Sequence, residues 1–344
     1  MRNLYDLSFE DLQSYIDRIG EPSFRAGQIW QGLYLQDWDD FKKFSNLSKD
    51  LRKNLAQDFT LGSITEERIV SSDDGSTRKF LYRLSDGTAI ETVLMAYAER
   101  HTVCISSQVG CAMGCTFCAT GNMGFSRNLT RGEIIEQVMC SSTLLVSENK
   151  RLTNVVLMGM GEPLLNYDAV LSAIQALNDP EGFNMGMRRF TISTVGIVPG
   201  IRRFTKENTQ INLALSLHAA EDQLRSRIVP INKKYPIAEV LAACDEYLAL
   251  SNRRVTIEWA LIQSVNDGPE QAHKLASLLK GKLYHVNLIQ LNPVEHYPGL
   301  PAEDKSAENF QHILHQAGLP CTIRLRRGMD IQAGCGQLAS QSSS

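Results

Sequence analysis

Cys111-Ala-Met-Gly-Cys115-Thr-Phe-Cys118 places three cysteines within eight residues of this chain. Ordinary ferredoxin runs at similar spacing carry a fourth cysteine nearby, and this segment lacks one. Three thiolates bound to a four-iron cluster leave one iron free to bind another molecule. The spacing therefore predicts an iron-sulfur cluster with one open iron, held by Cys111, Cys115 and Cys118.

Two other interpretations of the triplet are a zinc site completed by a distant His or Cys, and a disulfide pair. Structural zinc usually uses two Cys-x-x-Cys pairs that are far apart in sequence, and no second pair is present. Eight cysteines in 344 residues, with no secretory signal, indicate thiol or metal chemistry in a reducing compartment. We favour the cluster over zinc or an inert triplet.

The composition is that of a globular protein, with 43% hydrophobic and 21% charged residues. The chain begins with an acidic segment where a signal peptide is basic, and no apolar run approaches the roughly 18 residues of a membrane span. We therefore expect a cytoplasmic protein without a membrane partner. A net charge of −3 gives no overall attraction to RNA, so RNA contacts need local basic patches such as Arg253-Arg254 and Arg326-Arg327.

Three regions precede the C-terminus. Residues 1–62 are expected to form a small helical module, because Ser8, Ser23 and Ser48 can each cap an amphipathic helix. Residues 63–103 contain short β-rich runs broken by Asp-Gly dipeptides at 74–75 and 86–87, which are typical of hairpin turns. This pattern predicts a short β-meander.

Residues 104–338 alternate strands with amphipathic helices. Helical crossovers make successive strands parallel, so we expect an α/β fold, an incomplete (β/α)6 barrel whose ligand site lies at the C-terminal ends of the strands. The strand that ends just before Cys111 is counted as the first, giving about six or seven βα units. The remaining strands are expected near 154–158, 189–194, 211–217, 254–262, 284–291 and 321–326. Residues 339–344 are serine-rich and expected to be a disordered tail.

Four segments, the first of which contains the cysteine triplet, occur in a specific order. They are Cys111–Thr130, Met158-Gly-Met-Gly-Glu-Pro-Leu164, Ser216-Leu-His218 and Asp330-Ile-Gln-Ala-Gly-Cys-Gly-Gln-Leu338. Together they resemble the RlmN/Cfr family of radical S-adenosylmethionine (SAM) enzymes, which methylate an adenine carbon in ribosomal RNA. The resemblance covers nearly the whole chain and implies that the N-terminal module docks RNA. Two positions depart from the family pattern: Gln290, where proline is expected, and Gly334, where alanine is more frequent.

The resemblance implies a [4Fe-4S] cluster and a set of SAM contacts. The SAM contacts are Gly161, Glu162, Ser193, Ser216, Leu217, His218 and Asn292. Considered alone, Gly161 and Glu162 fit an ordinary strand-to-helix turn. A lone buried histidine such as His218 usually has its hydrogen bonds satisfied within the protein. The period of two does place Ser216 and His218 on the strand face opposite Leu217, where polar groups need a partner.

Two more cysteines receive roles from the resemblance, since eight cysteines alone allow 105 full pairings. It implies that Cys335 is methylated by one SAM molecule, that a radical made from a second removes hydrogen from this methyl group, and that the resulting carbon radical adds to adenine. Cys104 then releases the product through a transient disulfide with Cys335. Glu91 matches the family's proton acceptor, although its alternation with Ile90 and Thr92 predicts a solvent-facing side chain.

The expected activity is methylation of adenine C2 in 23S rRNA at the peptidyl-transferase centre, and of the adenine 3′ of the anticodon in tRNA. The enzyme is expected to be a monomer that receives electrons from an external donor such as flavodoxin. Alternatives are a C8-methylating enzyme of the Cfr type, a radical SAM enzyme acting on a small molecule or protein, and a non-catalytic RNA-binding iron-sulfur protein.

Overall fold

The computed structural model describes residues 1–339. Of the tail expected at 339–344, Ala339 is ordered by a hydrogen bond to Glu91, and the rest lies outside the described residues. The N-terminal region is helical, as predicted. Ser8 and Ser48 cap their helices by accepting hydrogen bonds from the backbone N–H groups of Asp11 and Leu51 (3.0 and 3.1 Å), whereas Ser23 makes no side-chain cap. The elements are β1 (Arg2–Asn3), α1 (Phe9–Arg18), α2 (Phe24–Tyr34), α3 (Lys49–Asp58) and β2 (Phe59–Thr60).

An antiparallel meander follows, formed by β3 (Ile64–Ser71), β4 (Thr77–Leu84) and β5 (Ala89–Ala96). Both predicted Asp-Gly turns are confirmed. The side chains of Asp74 and Asp86 each accept a hydrogen bond from the backbone N–H of the residue two positions later. The glycines that follow them have positive φ angles of 66° and 83°. Strand β5 pairs antiparallel with the first barrel strand, β6 (His101–Cys104), so the meander extends the barrel sheet.

The barrel confirms the predicted alternation of strands and helices. After β6 come β7 (Gln108–Gly110), α4 (Ala119–Asn122), β8 (Phe125–Asn128), α5 (Arg131–Ser147), β9 (Asn154–Leu157), α6 (Tyr167–Asn178), β10 (Phe190–Thr194), α7 (Val198–Lys206), β11 (Asn212–Ser216), α8 (Asp222–Ile228), α9 (Ile237–Ser251), β12 (Val255–Leu261), α10 (Pro269–Leu279), β13 (Tyr284–Gln290), α11 (Asp304–Gln316) and β14 (Cys321–Ile323).

One sheet of ten strands contains the meander and the barrel, in the order β14-β13-β12-β11-β10-β9-β6-β5-β4-β3. The strands from β6 to β14 in this sheet are all parallel, with helices in each crossover. In the described chain the sheet ends at β3 and β14, which are not joined, so the barrel is incomplete. None of the helices in residues 1–339 is long and apolar enough to cross a membrane.

The first barrel strand differs from the prediction. The strand just before Cys111 is β7, which pairs with β8 in a separate two-stranded ribbon, while the barrel begins with β6 and Cys104. The chain leaves the sheet after β6 and turns at Gly110, where φ is 73° and a Cβ atom would lie only 1.9 Å from the carbonyl oxygen of Gly124. This turn carries the cysteine segment across the end of the barrel.

Candidate active site

The three clustered cysteines lie in the loop between β7 and α4. Cys111 and Cys115 are buried and Cys118 is partly buried. Burial raises the pKa of all three thiols, that of Cys111 to about 12. Thiols in such surroundings become thiolates when a metal centre supplies the compensating positive charge. The donor set therefore fits a bound iron-sulfur cluster.

The cysteine loop does not form a compact site for one ion. Among residues 1–339, no group of three or more His, Cys, Asp or Glu side chains is placed to hold a single metal ion. Tetrahedral zinc would need its sulfur ligands within about 4 Å of one another, since each Zn–S bond is about 2.3 Å.

A cavity of about 160 Å³ lies beside this loop, at the C-terminal ends of the parallel strands. This is where an open or closed α/β barrel is expected to bind its ligand. The cavity brings together most of the residues that the sequence singles out. They are Cys115, Cys118, Gly161, Glu162, Ser193, Ser216, His218, Asn292 and Cys335.

Leu217 is not brought into the cavity. Its side chain is fully buried in the hydrophobic core, on the face of the chain opposite Ser216. Its backbone N–H donates to the carbonyl oxygen of Glu258 (3.1 Å), and its carbonyl oxygen accepts from Nε of Arg225 (3.0 Å). Both backbone groups of Leu217 are thus already paired within the protein.

His218 is held as a neutral imidazole in an unusual backbone conformation. Its φ angle is 60°, a region that non-glycine residues rarely occupy outside functional sites and turns. Nδ1 accepts a hydrogen bond from the backbone N–H of Ala260 (2.9 Å), which leaves Nε2 as the protonated nitrogen. Burial, reinforced by the Arg225 guanidinium, lowers the pKa of His218 to about 3. His218 therefore presents a neutral N–H donor.

Glu162 connects the ends of two barrel strands. Its carboxylate accepts hydrogen bonds from the backbone N–H groups of Leu164 (3.1 Å) and Val195 (2.9 Å), beyond β9 and β10 respectively. Burial raises its pKa to about 7, although these hydrogen bonds act in the opposite direction. Gly161 is required by packing, because a Cβ atom there would lie 2.5 Å from the side chain of Gln108.

Asn292 connects the cavity to the cysteine near the C-terminus. Its Nδ2 donates to the carbonyl oxygen of Cys335 (3.0 Å). Its Oδ1 is buried and has no hydrogen-bond partner among the residues that the structure describes. An unpaired buried acceptor is costly, and an N–H or O–H donor of a bound ligand would satisfy it. SAM carries such donors on its amino group and ribose, so the polar lining fits this ligand.

A second cavity of about 610 Å³ occupies the barrel interior below the first. Cys104 and Cys335 both line it, so the two thiols that the resemblance pairs face the same space. It continues past Thr256 to Asn212 and Arg253 at the N-terminal ends of the strands. Cys335 lines both cavities and is exposed to them, as expected for an accessible nucleophile.

The two thiols share a nearby cation. Burial raises the pKa of Cys104 to about 12, and the neighbouring Cys335 adds to this effect. Desolvation likewise raises the pKa of Cys335. The guanidinium of Arg324, which lines the same cavity, opposes both shifts. Arg324 thus favours the thiolate form of either cysteine.

Glu91 is buried, with 2% of its surface exposed, so the solvent-facing position predicted from its alternation is wrong. Strand β5 is covered on both faces, and the C-terminal segment lies over Glu91. One carboxylate oxygen pairs with Nζ of Lys79 (3.1 Å), and the other accepts from the backbone N–H of Ala339 (2.8 Å). Glu91 lies beneath the segment that carries Cys335.

Glu258 and Asn287 line the larger cavity although no motif identifies them. One sequence signal is available for Glu258. In Val255–Leu261, Thr256 and Glu258 alternate with apolar residues, whereas parallel strands covered on both faces are usually apolar throughout. Such alternation indicates a polar barrel interior.

Two family models match the chain. One is described as the ribosomal RNA large subunit methyltransferase N-terminal domain and matches residues 2–61; the other is the radical SAM superfamily and matches residues 105–276. The chain is 46% identical to a protein of Chloroflexus aurantiacus named probable dual-specificity RNA methyltransferase RlmN, over 99% of this chain and 94% of the relative. It is also 46% identical to dual-specificity RNA methyltransferase RlmN 1 of Myxococcus xanthus, over 98% and 94%.

A solved structure is similar over the same extent. The crystal structure of a radical SAM methyltransferase from Sphaerobacter thermophilus superposes with a TM-score of 0.97, at 47% identity, covering 99% of this chain and 100% of that one. The incomplete parallel barrel and its three-cysteine loop define a radical SAM enzyme. The chain belongs to the RlmN family of radical SAM methyltransferases. Membership in this superfamily implies a [4Fe-4S] cluster and SAM.

Proposed function

We propose that this enzyme methylates C2 of an adenine in 23S rRNA, at the peptidyl-transferase centre, and of the adenine 3′ of the anticodon in tRNA. The position of Cys335 carries the proposal. Its thiol lines the cavity beside the cysteine loop and also the larger cavity that contains Cys104. A residue so placed can receive a methyl group on one side and deliver it on the other. The names of the relatives, which specify dual-specificity RNA methyltransferases, support two RNA substrates.

Cys111, Cys115 and Cys118 would hold the cluster, and the polar lining of the smaller cavity would hold SAM. When bound, these cofactors supply a methyl group from one SAM and one-electron chemistry from a second, so that two SAM are used per turnover. The unpaired Oδ1 of Asn292 and the Nε2–H of His218 offer one acceptor and one donor to that ligand.

The chain's own residues would carry the methyl group and release the product. Cys335 holds the methyl carbon as a thioether, and this carbon becomes bonded to adenine C2. The thiolate of Cys104 then attacks the Cys335 sulfur, so that an S–S bond forms as the S–C bond to the RNA breaks. Glu91 is the proposed acceptor of the ring proton. Arg324 supports this sequence, because burial raises the pKa of the Cys104 thiol and the Arg324 guanidinium opposes that rise.

The larger cavity is the proposed place of the target nucleotide. Its volume of about 610 Å³ is sufficient for a base that has been turned out of its stack. Several arginines that can bind phosphates or stack on bases surround it. They are Arg100, Arg253, Arg254, Arg324, Arg326 and Arg327.

We assign residues 1–62 to RNA docking, 63–103 to the β-meander connection and 104–338 to the catalytic partial barrel. Matches to the two family models over residues 2–61 and 105–276 support this division. The enzyme would act as a cytoplasmic monomer and take electrons from an external one-electron donor such as flavodoxin.

The test is anaerobic reaction of the reconstituted enzyme with a 23S rRNA fragment or tRNA, followed by mass spectrometry of the nucleosides. The expected product is 2-methyladenosine from both RNAs, and none from Cys335→Ala. Detection of 8-methyladenosine would instead assign the enzyme to the Cfr type. Cleavage of SAM without RNA methylation would indicate a substrate other than RNA.

A further inference from the structure

A row of polar side chains crosses the barrel interior between the two cavities. Ser216 on β11 is in register with Glu258 on β12, and Glu258 is in register with Asn287 on β13. Residues in register on neighbouring strands point to the same side of the sheet. Ser216 lines only the smaller cavity, Asn287 lines only the larger one, and Glu258 lines both.

One oxygen of the Glu258 carboxylate accepts a hydrogen bond and the other does not. Oε1 accepts a hydrogen bond from Nδ2 of Asn287 (3.0 Å). Among residues 1–339, Oε2 is buried without a hydrogen-bond partner, and Nη1 of Arg324 lies 3.8 Å away, which is an ion-pair distance too long for a hydrogen bond. The residue is only 5% exposed. A buried carboxylate oxygen without a donor is unfavourable, so this site is suited to receive one from a ligand.

The neighbours of the Glu258 carboxylate lie on the side of the larger cavity. Asn287 and Arg324, the two residues that hold the carboxylate, line the larger cavity and not the smaller one. The base in that cavity needs an N–H donor to match Oε2. Adenine has one exocyclic amino group, at N6, whereas guanine presents the O6 acceptor at the corresponding position.

We propose that Oε2 of Glu258 accepts a hydrogen bond from the N6 amino group of the target adenine and so orients the base and excludes guanine at that edge. Arg324 and Asn287 act as positioning residues that hold the carboxylate. This inference rests on the proposed function, because it requires an adenine of RNA in the larger cavity.

The experiment compares two RNA fragments that differ only at the target nucleotide, adenosine in one and purine riboside, which lacks the amino group, in the other. For the unmodified enzyme we expect kcat/KM to be about ten- to a hundredfold lower with purine riboside, the effect of losing one hydrogen bond to a charged group. Glu258→Met should lose this preference, and Glu258→Gln should retain part of it through its amide oxygen. Glu246→Met, an exposed glutamate on α9 that pairs with Arg202, is the matched control and should keep the full preference.

The preference is the ratio of kcat/KM for the adenosine RNA to kcat/KM for the purine riboside RNA, measured with the same preparation of each variant. A partly unfolded preparation therefore does not change it. Equal rates with both RNAs in the unmodified enzyme would overturn the inference while leaving the proposed function intact. Full preference in Glu258→Met would also overturn it. A third outcome would also overturn it. If the rate fell when the amino group was removed from the adenine of SAM and not when it was removed from the RNA adenine, Glu258 would bind the cofactor instead. Absence of any RNA methylation by the unmodified enzyme would contradict the proposed function itself.

Discussion

Lys79 on β4 and Glu91 on β5 form a buried ion pair, with Nζ and Oε1 3.1 Å apart, directly beneath the C-terminal segment. Each partner also holds that segment. Nζ of Lys79 donates to the carbonyl oxygen of Gln332 (3.2 Å), and Oε2 of Glu91 accepts from the backbone N–H of Ala339 (2.8 Å). Because Cys335 lies between these two points, the meander holds both ends of the Cys335 loop, in addition to the bonds that Asn292 and Thr120 donate to the carbonyl oxygens of Cys335 (3.0 Å) and Leu338 (2.6 Å).

We expect Lys79→Met to loosen this loop. The substitution removes the bond to Gln332 and leaves the Glu91 carboxylate buried without its cation, which typically costs about 3–5 kcal/mol. Hydrogen exchange of the amides in 332–339 should become faster than in the unmodified protein. Arg83→Met removes a partly exposed ion pair with Glu67 on the same hairpin and is the control. Unchanged exchange in Lys79→Met would show that other contacts anchor the loop.

Cys104→Ala should trap RNA on the protein. Cys335 can still carry the methyl carbon to adenine, but no thiol remains in the cavity to break the resulting thioether. A denaturing gel of the variant purified from cells should show a nuclease-sensitive covalent RNA adduct that disappears when Cys335 is also replaced. Cys321→Ala, a buried cysteine on β14, should give no adduct. Normal adenine methylation by Cys104→Ala would refute the two-cysteine route.

Replacement of any one of Cys111, Cys115 or Cys118 by Ala should abolish the iron-sulfur cluster. Each loss leaves only two of three thiolate ligands. Anaerobically purified protein should contain about four irons and absorb broadly in the visible range, and the variants should be colourless. Cys140→Ala on α5 is the control and should keep its iron. A colourless unmodified protein that contains zinc would support the zinc interpretation instead.

His218 should make the protein less stable at acidic pH. Its pKa is lowered to about 3 by burial and by Arg225, whereas an unfolded histidine titrates near 6.5. Above pH 6.5 both states are neutral; as the pH falls, only the unfolded chain gains the proton. The free energy of unfolding should therefore decrease by about 2 kcal/mol between pH 6.5 and pH 5 through this group.

Urea unfolding of His218→Asn at pH 7 and pH 5 measures this contribution, since asparagine tolerates the positive φ and does not titrate. The variant should lose less stability than the unmodified protein over this interval. His273→Asn, at an exposed position on α10, is the matched control. An identical pH dependence in the unmodified protein and His218→Asn would contradict the assigned protonation state.

Arg225 should be one of the most sensitive positions for stability. Its guanidinium is fully buried and donates to the carbonyl oxygens of Leu217 (3.0 Å) and Val195 (2.6 Å), which follow β11 and β10. Arg225→Met would leave these acceptors without donors, and we expect a loss of about 3–5 kcal/mol in thermal or urea unfolding. Arg227→Met, exposed on the same helix, should change stability by less than about 0.5 kcal/mol.

The order of elements followed from local signals in the chain. Serine caps and Asp-Gly dipeptides act over a few residues, and hydrophobic periodicity identifies strands and helices before any long-range contact is known. The period of two likewise places Ser216 towards the cavity, whereas His218 lies beyond the end of β11 and reaches the cavity through a backbone with a φ angle of 60°.

The sequence by itself determined the cysteine loop, the alternating barrel and the family, because these are encoded in spacing and in ordered motifs. Only the tertiary structure decided that β6 and not β7 begins the barrel, that Glu91 is buried, and that Glu258 lines both cavities with a carboxylate oxygen that accepts no hydrogen bond from the described residues. Each of these depends on pairing between segments far apart in the chain. Burial and hydrogen-bond satisfaction are properties of the packed neighbours, so alternation within a single strand does not specify them.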